Sequence, residues 1–271
     1  MGNQKEERVG IMSQVEAVPI KELRVSPFNV RKRVGELDDL KSSIKSIGLL
    51  QPIVVRDVKG KLEVVIGQRR FLACKALNWD TIPAVRRELS DREALVLSLT
   101  ENVQMDSLDP IDRAEGTEKL IKDLEKEMPR TKAVDIAATT LGKGSSTIYD
   151  WLRLLETTEA VKRMVQEKRM EIEIGARLAS LPKQQQTEVA RVIQEESLPR
   201  SQAAKVIEYV GRQPKLPARE AIKTFLRETE EYSVTVSLPG SLYRALSEFA
   251  QARKLTVQEI IRRAIRKFLA S

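Results

Sequence analysis

The last forty residues, 232–271, restrict most strongly how this chain can fold. Residues 232–238 alternate between polar and apolar side chains, which predicts one short β-strand. Two amphipathic helices follow, and the second opens on Thr256-Val-Gln-Glu259, the pattern of a capping box. A single short strand with two helices buries too little apolar surface to be stable alone. The sequence therefore predicts that this unit pairs with a second copy and that the protein is a homodimer.

Two paired strands of this kind would form an antiparallel ribbon whose polar face fits the major groove of DNA. The whole segment resembles the ribbon-helix-helix family, in which ribbon residues contact bases and the start of the second helix anchors a phosphate. The resemblance implies DNA contacts by Ser233, Thr235, Ser237 and Thr256. Seven basic and two acidic residues in 232–271 agree with this interpretation. The alternative is a dimerisation tail that makes no base contacts.

Composition limits the chemistry that the chain can perform. Its 47 basic and 39 acidic residues give a formal net charge of +8, which favours a polyanionic partner because bound Lys and Arg release counterions from phosphates. One cysteine, Cys74, and no histidine exclude an internal disulfide, a His/Cys zinc site and Ser-His-Asp catalysis. No apolar run approaches the roughly 20 residues that span a bilayer. We expect a cytoplasmic protein without a membrane partner.

The pattern of elements predicts an α+β protein with several parts. Strand and helix signals alternate in the first half, with a hairpin around Lys59-Gly60, and helix signals dominate from Thr131 to Tyr209. The predicted organisation is a disordered tail (1–13), a mixed α/β domain (14–125), a helical domain (126–210), a linker (211–231) and the terminal unit (232–271).

A helix-turn-helix is predicted within the helical domain. Ala138, Gly142 and Ile148 have the spacing of a small residue between two helices, a turn glycine and an apolar anchor. The second helix would read DNA and the turn would contact the backbone, through Lys143, Ser145, Ser146, Thr147, Tyr149, Asp150 and Arg153. An ordinary helical hairpin matches the same spacing and remains the alternative.

Several motifs in order make residues 26–181 similar to the ParB family of partition proteins. These are SPFNVRK (26–32), GLLQPIVVR (48–56), GQRRFLACKALNWDTIPAVRREL (67–89), ENVQMDSLDPIDRAEG (101–116), LGKGSSTIYDWLRLL (141–155) and IGARLASLP (174–182). The resemblance implies a ParB/sulfiredoxin-like first domain, a helix-turn-helix domain and a nucleoid-associated protein that binds double-stranded DNA. It also implies a partition role for a chromosome or plasmid, with a ParA-like ATPase as a partner.

The family resemblance further implies a DNA clamp that CTP and Mg²⁺ close. Backbone N–H groups and guanidinium forks after a strand-to-helix turn suit phosphates, and side-chain oxygens suit Mg²⁺. By motif position, the residues that would frame the base are Gly48, Gln51 and Pro52. Those that would bind the phosphates are Gly67, Arg69 and Arg70. Those that would hold the metal are Glu101 and Asn102.

Three departures from the family pattern limit this expectation. Gln68 replaces a glutamate, Met105 replaces an arginine, and Asn29-Val30 replaces Gln-Pro, so weak or absent CTP turnover is predicted. A nucleotide-independent transcriptional regulator is therefore one alternative. A sulfiredoxin-like or serine-kinase-like enzyme is another, but the Gly-Cys-His-Arg sequence of sulfiredoxin is absent. Cys74 is expected to be a small buried residue.

Overall fold

The computed structural model of the chain describes residues 14–32, 34–104, 108–213, 216–229 and 237–269. The chain divides into two units, Met1–Phe225 and Leu226–Ser271. Among the described residues, the first contains a five-stranded sheet, ten α-helices and most of an eleventh, and the second contains the end of that helix and two further helices. This confirms the predicted α+β class. In the described part of the chain, no helix is long and apolar enough to cross a membrane.

A mixed sheet forms the first half of the larger unit. Its strands follow the spatial order β1-β5-β3-β4-β2. The predicted hairpin is confirmed: β3 and β4 pair antiparallel, and Lys59 and Gly60 both have positive φ at the turn. The strand bounds are Val15–Pro19, Leu23–Val25, Ile53–Val58, Lys61–Ile66 and Thr81–Arg86 for β1 to β5.

Two helices cover apolar side chains of this sheet. Helix α1, Asp38–Ile47, ends at Gly48, whose φ of 77° lies in the left-handed region that glycine adopts without strain. Helix α2, Gln68–Ala76, starts after Gly67 at a φ of 87°. A Cβ atom at Gly67 would lie 2.8 Å from Ile53, so the turn also needs glycine for space.

A second core joins the next four helices. Their bounds are Asp91–Gln104, Pro110–Leu124, Arg130–Leu141 and Ser145–Leu155 for α3 to α6. One cluster of buried side chains runs from Val30 to Leu152 and includes Leu99, Ile121 and Ile148. Packing is thus continuous across the predicted domain boundary at 125/126, because α3 and α4 bury their apolar faces against α5 and α6.

Five further helices complete the larger unit. Helices α7 to α11 span Glu159–Gln166, Ile172–Arg177, Lys183–Glu195, Arg200–Arg212 and Ala218–Thr229. Part of the predicted linker is therefore regular helix, and the ring of Phe225 in α11 packs at a tilt of 52° against that of Tyr209, with 5.3 Å between ring centroids.

The smaller unit contains α12, Gly240–Ala252, and α13, Val257–Leu269. The predicted capping box is confirmed: the main-chain N–H of Glu259 donates to Oγ1 of Thr256, and the Thr256 N–H donates to the Glu259 carboxylate at 2.8 Å. Only Ala250 and Ile260 are buried among the described residues of these two helices. The predicted tail and most of the predicted strand, residues 1–13 and 232–236, lie outside the described residues.

Candidate functional site

A cavity of about 370 Å³ opens beside the start of α2. Side chains from α1, β4, α2, α3 and the segment before α1 line it. The lining residues are Asn29, Arg31, Leu40, Gln51, Val65, Gly67, Gln68, Arg69, Arg70, Glu101 and Asn102. Five separate stretches of sequence, 29–31, 40, 51, 65–70 and 101–102, therefore meet at the strand-to-helix turn after β4.

Two arginines of the pocket are held by main-chain carbonyl groups. Arg69 donates to the carbonyl oxygens of Val34 and Glu36, and Arg70 donates to those of Gln51 (2.9 Å) and Pro52 (2.6 Å). These contacts tie the start of α2 to the segment before α1 and to the entry of β3. Both guanidinium groups are thereby held in place at the edge of the cavity that their side chains line.

A third arginine, Arg31, comes from the segment before α1. Its Nη2 donates to Oδ1 of Asn102 at 2.9 Å. The side-chain Nδ2 of Asn102 donates in turn to the carbonyl oxygen of Ser98 at 2.7 Å. Asn102 is 5% exposed, so its amide has a fixed orientation in the pocket wall.

The pocket brings together three positively charged side chains that are half-buried. Burial lowers the pKa of Arg31, and the like charge of Arg69 lowers it further, while Glu101 and Asp112 act in the opposite direction. Burial also lowers the pKa of Arg70, and Glu101 opposes this shift. Both shifts mean that a charged guanidinium is less well solvated here than in water, a cost that an anionic ligand would offset.

One acceptor in the pocket has no protein partner. The side-chain oxygen Oε1 of Gln68 is buried and receives no hydrogen bond. Buried acceptors without a donor are uncommon in native proteins, so a donor group of a ligand or a water fits this position. Met105, another departure from the family pattern, lies outside the described residues.

The structure brings together most of the predicted pocket residues and adds others. Gln51, Gly67, Arg69, Arg70, Glu101 and Asn102 line the cavity, whereas Gly48 and Pro52 are not among the lining residues. Gly48 instead ends α1, and Pro52 contributes only its carbonyl group to Arg70. Sequence reasoning missed the role of Arg31, although it is the arginine of the SPFNVRK motif and could have been found there.

The segment that carries Arg31 starts at a buried ionic network. Glu63 in β4 is 2% exposed and accepts from Nε and Nη2 of Arg56, at 3.0 and 2.8 Å. Glu63 also accepts from Arg24 at 2.7 Å and from the Ser26 hydroxyl at 3.2 Å. Arg56 lies 5.0 Å from the ring centroid of Phe28. The network anchors the beginning of the SPFNVRK segment to the sheet.

Glu101 and Asn102 are the predicted metal ligands, and their oxygen atoms suit Mg²⁺. In the described part of the chain, no group of three or more His, Cys, Asp or Glu side chains could hold a metal ion. Two protein ligands fit a magnesium ion if waters or phosphate oxygens supply the others, which is its usual coordination. The residues therefore fit a metal that arrives with a phosphorylated ligand.

Cys74 does not contribute to the pocket. It is fully buried in α2, as the sequence predicted, and burial raises the pKa of its thiol. A raised thiol pKa lowers the fraction of nucleophilic thiolate, which argues against a sulfiredoxin-like active site.

Helices α5 and α6 form the predicted helix-turn-helix pair. Gly142 has a φ of 63°, and the Lys143 N–H donates to the carbonyl oxygen of Ala138 at 2.9 Å. Ile148 is fully buried between the helices, as expected of the anchor. Gly144 precedes α6 and has no side-chain acceptor, so first-turn N–H groups can donate to a phosphate.

The predicted DNA-contacting side chains differ in how accessible they are. Lys143, Ser146 and Arg153 are exposed, whereas Ser145 and Thr147 are half-buried and Tyr149 packs against the helical core. The hydroxyl of Ser145 donates to Asp135 at 2.8 Å. Arg153 lies 3.7 Å from the half-buried Asp150 on its own helix.

In the smaller unit, Ser237 is exposed, and Ser233 and Thr235 lie outside the described residues. Thr256 is exposed, but its hydroxyl donates to the Glu259 carboxylate at 3.0 Å. A phosphate contact by this hydroxyl would therefore compete with the capping box.

Comparison with known proteins identifies all three parts of the chain. The ParB N-terminal domain matches residues 4–103, the ParB HTH domain matches 106–210, and the ribbon-helix-helix protein, copG family, matches 232–271. The last match agrees with the prediction for the terminal segment.

Relatives align over most of the chain. Stage 0 sporulation protein J of Bacillus subtilis is 32% identical over 228 residues, covering 80% of this chain and 77% of the relative. The nucleoid occlusion protein of Halalkalibacterium halodurans is 34% identical over 179 residues. The aligned part covers 65% of this chain and 61% of the relative. A C-terminally truncated chromosome-partitioning protein ParB from Caulobacter crescentus, solved with the centromeric parS site, is 25% identical with a TM-score of 0.53, covering 71% of this chain and 98% of that one. The chain therefore belongs to the ParB family.

Proposed function

We propose that this protein binds double-stranded DNA in the partition of a chromosome or plasmid, with α6 as the recognition helix. The carrying observation is the exposed face of α6, which presents Ser146 and Arg153 directly after a tight glycine turn. The uncapped first turn of α6 and the exposed Lys143 supply donors for phosphates. The Caulobacter relative, described in complex with its centromeric site, supports the same assignment.

A pair of matched charge variants tests this proposal. Ser146→Glu adds a negative charge to the exposed face of α6, and Ser42→Glu adds the same charge to the exposed side of α1. We expect Ser146→Glu to weaken binding to duplexes selected from a randomised pool by about tenfold, because the carboxylate would face phosphates. Ser42→Glu should stay within about twofold of the unmodified chain, since it changes only the net charge. Equal affinities in the two variants, measured by fluorescence anisotropy, would refute α6 as the recognition helix.

The pocket beside α2 is proposed to bind CTP together with Mg²⁺. The supporting observation is the grouping of Arg31, Arg69 and Arg70 around one carboxylate, Glu101, with burial lowering the pKa of two of the arginines. Such a site favours a polyanion of the size of a triphosphate. The preference for cytosine comes from the family resemblance. When bound, the cation neutralises phosphate charge, and Glu101 and Asn102 are its proposed ligands.

Calorimetry with CTP, ATP and GTP, with and without DNA, tests nucleotide binding. Arg70→Ala removes a charge-assisted contact of about 1.5–3 kcal/mol, so CTP affinity should fall at least about tenfold. Asn102→Ser should retain CTP affinity but lose part of its dependence on Mg²⁺. DNA binding through α6 should persist in both variants. If the unmodified chain binds no nucleotide at millimolar concentration, a nucleotide-independent regulator becomes the better assignment.

That second candidate has one observation in its favour. Arg69 and Arg70 already donate to main-chain carbonyl groups, so their hydrogen bonds can be purely structural. The regulator would share the proposed DNA binding but not the nucleotide response, and the same calorimetry separates the two. A ParA-like ATPase partner stays a prediction from the family resemblance.

The smaller unit is proposed to form the homodimer. Its helices leave large apolar side chains in solvent: Leu242, Tyr243, Phe249 and Ile265 are about half exposed, and Phe268 and Leu269 are about four-fifths exposed. So many exposed apolar groups on two short helices mark an interaction surface. A second copy of the same unit fits because paired strands and facing helices would cover each other symmetrically.

A further inference from the structure

The orientation of Asn102 determines what its oxygen atom can bind. Its Nδ2 donates to the carbonyl oxygen of Ser98, and a carbonyl group can only accept, so the nitrogen must lie on that side. Oδ1 therefore points to the pocket, where it accepts from Arg31 at 2.9 Å. The oxygen atom that would ligate a cation is thus already bonded to a positive side chain.

An amide oxygen has two lone pairs, but this does not allow both partners at once. A divalent ion binds a carbonyl oxygen at about 2.0–2.6 Å, so it would lie within a few ångströms of the Arg31 guanidinium. Two positive groups at this separation repel strongly in a partly buried site. Binding of a cation at Asn102 requires the guanidinium to leave.

The main chain around Arg31 is firmly held, whereas its side chain spans the pocket. The N–H of Val30 donates to the Ser98 hydroxyl (3.3 Å), and the N–H of Lys32 donates to the buried carboxylate of Asp112 (2.9 Å). The N–H of Arg31 donates to the side chain of Asn29 at 3.0 Å. Departure from Asn102 is therefore a change of side-chain rotamer rather than a loop movement.

Arg31 also has a reason to move when an anion is present. Its side chain lines the same pocket as those of Arg69 and Arg70, where an anionic ligand would bind. A phosphate group offers the guanidinium charge-assisted bonds, which are stronger than its bond to the neutral amide of Asn102. An anionic ligand would then draw Arg31 from Asn102 and expose the oxygen atom.

We propose that Arg31 competes with a divalent cation for the amide oxygen of Asn102, so that the pocket takes up the cation only once an anionic ligand has drawn the guanidinium away. This rests on the proposed nucleotide site and adds an order of binding to it. Arg31 acts as a positioning residue. It excludes a cation that arrives alone, and it frees Oδ1 of Asn102 when its guanidinium moves to the phosphate.

The test measures binding of Mn²⁺ alone to the full chain by electron paramagnetic resonance, without nucleotide. Arg31→Met removes the competitor, and Arg69→Met removes the same charge from the same pocket but keeps the bond between Arg31 and Asn102. We expect Mn²⁺ to bind Arg31→Met at least about tenfold more tightly than it binds the unmodified chain. The reason is that Mn²⁺ no longer has to displace the charge-assisted contact between Arg31 and Asn102. Arg69→Met should gain no more than about threefold, the effect of charge alone. The double variant Arg31→Met/Asn102→Ala should lose the gain.

Equal Mn²⁺ affinities in Arg31→Met and Arg69→Met would overturn the inference, because general electrostatics would then explain the effect. Retention of the gain in the double variant would overturn it too, since the cation would not be at Asn102. If Arg31→Met does not fold, as judged by circular dichroism, Arg31→Gln is the replacement and the same comparison decides. Calorimetry with CTP tests the nucleotide proposal separately, so a chain that binds no CTP leaves the outcome with Mn²⁺ alone fully informative.

Discussion

The buried pair of Arg56 and Glu63 should be a major determinant of stability in the sheet domain. Arg56→Met preserves much of the side-chain volume but removes two hydrogen bonds to Glu63, at 3.0 and 2.8 Å. It also removes a hydrogen bond to the carbonyl oxygen of Leu89 and the ion pair with the exposed Asp91. Arg56 and Glu63 are both 2% exposed, so water cannot replace the lost contacts between them. Removing one partner of a buried pair costs roughly 3–5 kcal/mol. Because Glu63 keeps Arg24 and Ser26, we expect about 3 kcal/mol, the lower end of that range.

Thermal unfolding followed by circular dichroism measures this loss. For a domain of this size, 1 kcal/mol shifts Tm by about 2–4 °C, so Tm should fall by about 6–12 °C. Arg24→Met is the matched control because Arg24 contacts the same carboxylate but is 48% exposed. Solvent can replace its contact, and an exposed pair contributes only about 0–1 kcal/mol.

A double variant separates the buried charge from the lost packing. Arg56→Met/Glu63→Leu leaves neither charge of the pair in the sheet, and apolar replacement of a buried ion pair is often neutral or stabilising. The double variant should therefore unfold at a higher temperature than Arg56→Met alone. The reasoning would be refuted if Arg56→Met lost less than about 1 kcal/mol, or if the double variant were the least stable of the set.

Three further predictions concern other parts of the chain. Deleting residues 232–271 should weaken the dimer because it removes the exposed apolar helices; an unchanged dimer in sedimentation velocity would contradict this. Replacing Arg262, Arg263 and Arg266 together by Gln should flatten the dependence of log K for DNA on log salt by about 0.9 per lost phosphate contact, and an unchanged slope would exclude α13 from the DNA backbone. Burial raises the pKa of the Cys74 thiol, so at pH 8 its alkylation should be at least about tenfold slower than that of free cysteine and should recover in urea. A rate equal to that of free cysteine in the folded chain would show that the thiol is accessible.

Local patterns predicted most secondary-structure elements because short-range rules govern them. The helical stripe from Leu37 to Ile47 and the glycine after it correspond to α1 and its end at Gly48. The capping box at Thr256 has the predicted reciprocal bonds. In each case, each residue that decides the conformation is within about one helical turn of the next. The apolar stripes of α12 and α13 are largely exposed, as expected of a surface that needs a partner, and the partner itself stays a prediction.

The pocket could be predicted only in part. Motif order placed Gly67, Arg69, Arg70, Glu101 and Asn102 in one site, and these residues do line the cavity. The motifs did not indicate what each side chain bonds to. The carbonyl partners of Arg69 and Arg70 lie between 18 and 35 positions away in sequence, and the partner of Arg31 lies 71 positions away. The spacing of apolar side chains along the sequence carries no information about contacts between residues so far apart.

By itself, the sequence determined the α+β class, the order of the parts, the family and the expectation of a partner for the last forty residues. These follow from side-chain period, turn residues and motif order, which are properties of neighbouring positions. Tertiary structure alone decided that α3 and α4 share a core with α5 and α6, and that Arg31 occupies the oxygen atom of Asn102. Both depend on which distant side chains reach the same point in space, and only the tertiary packing of the sheet and helices brings those side chains together.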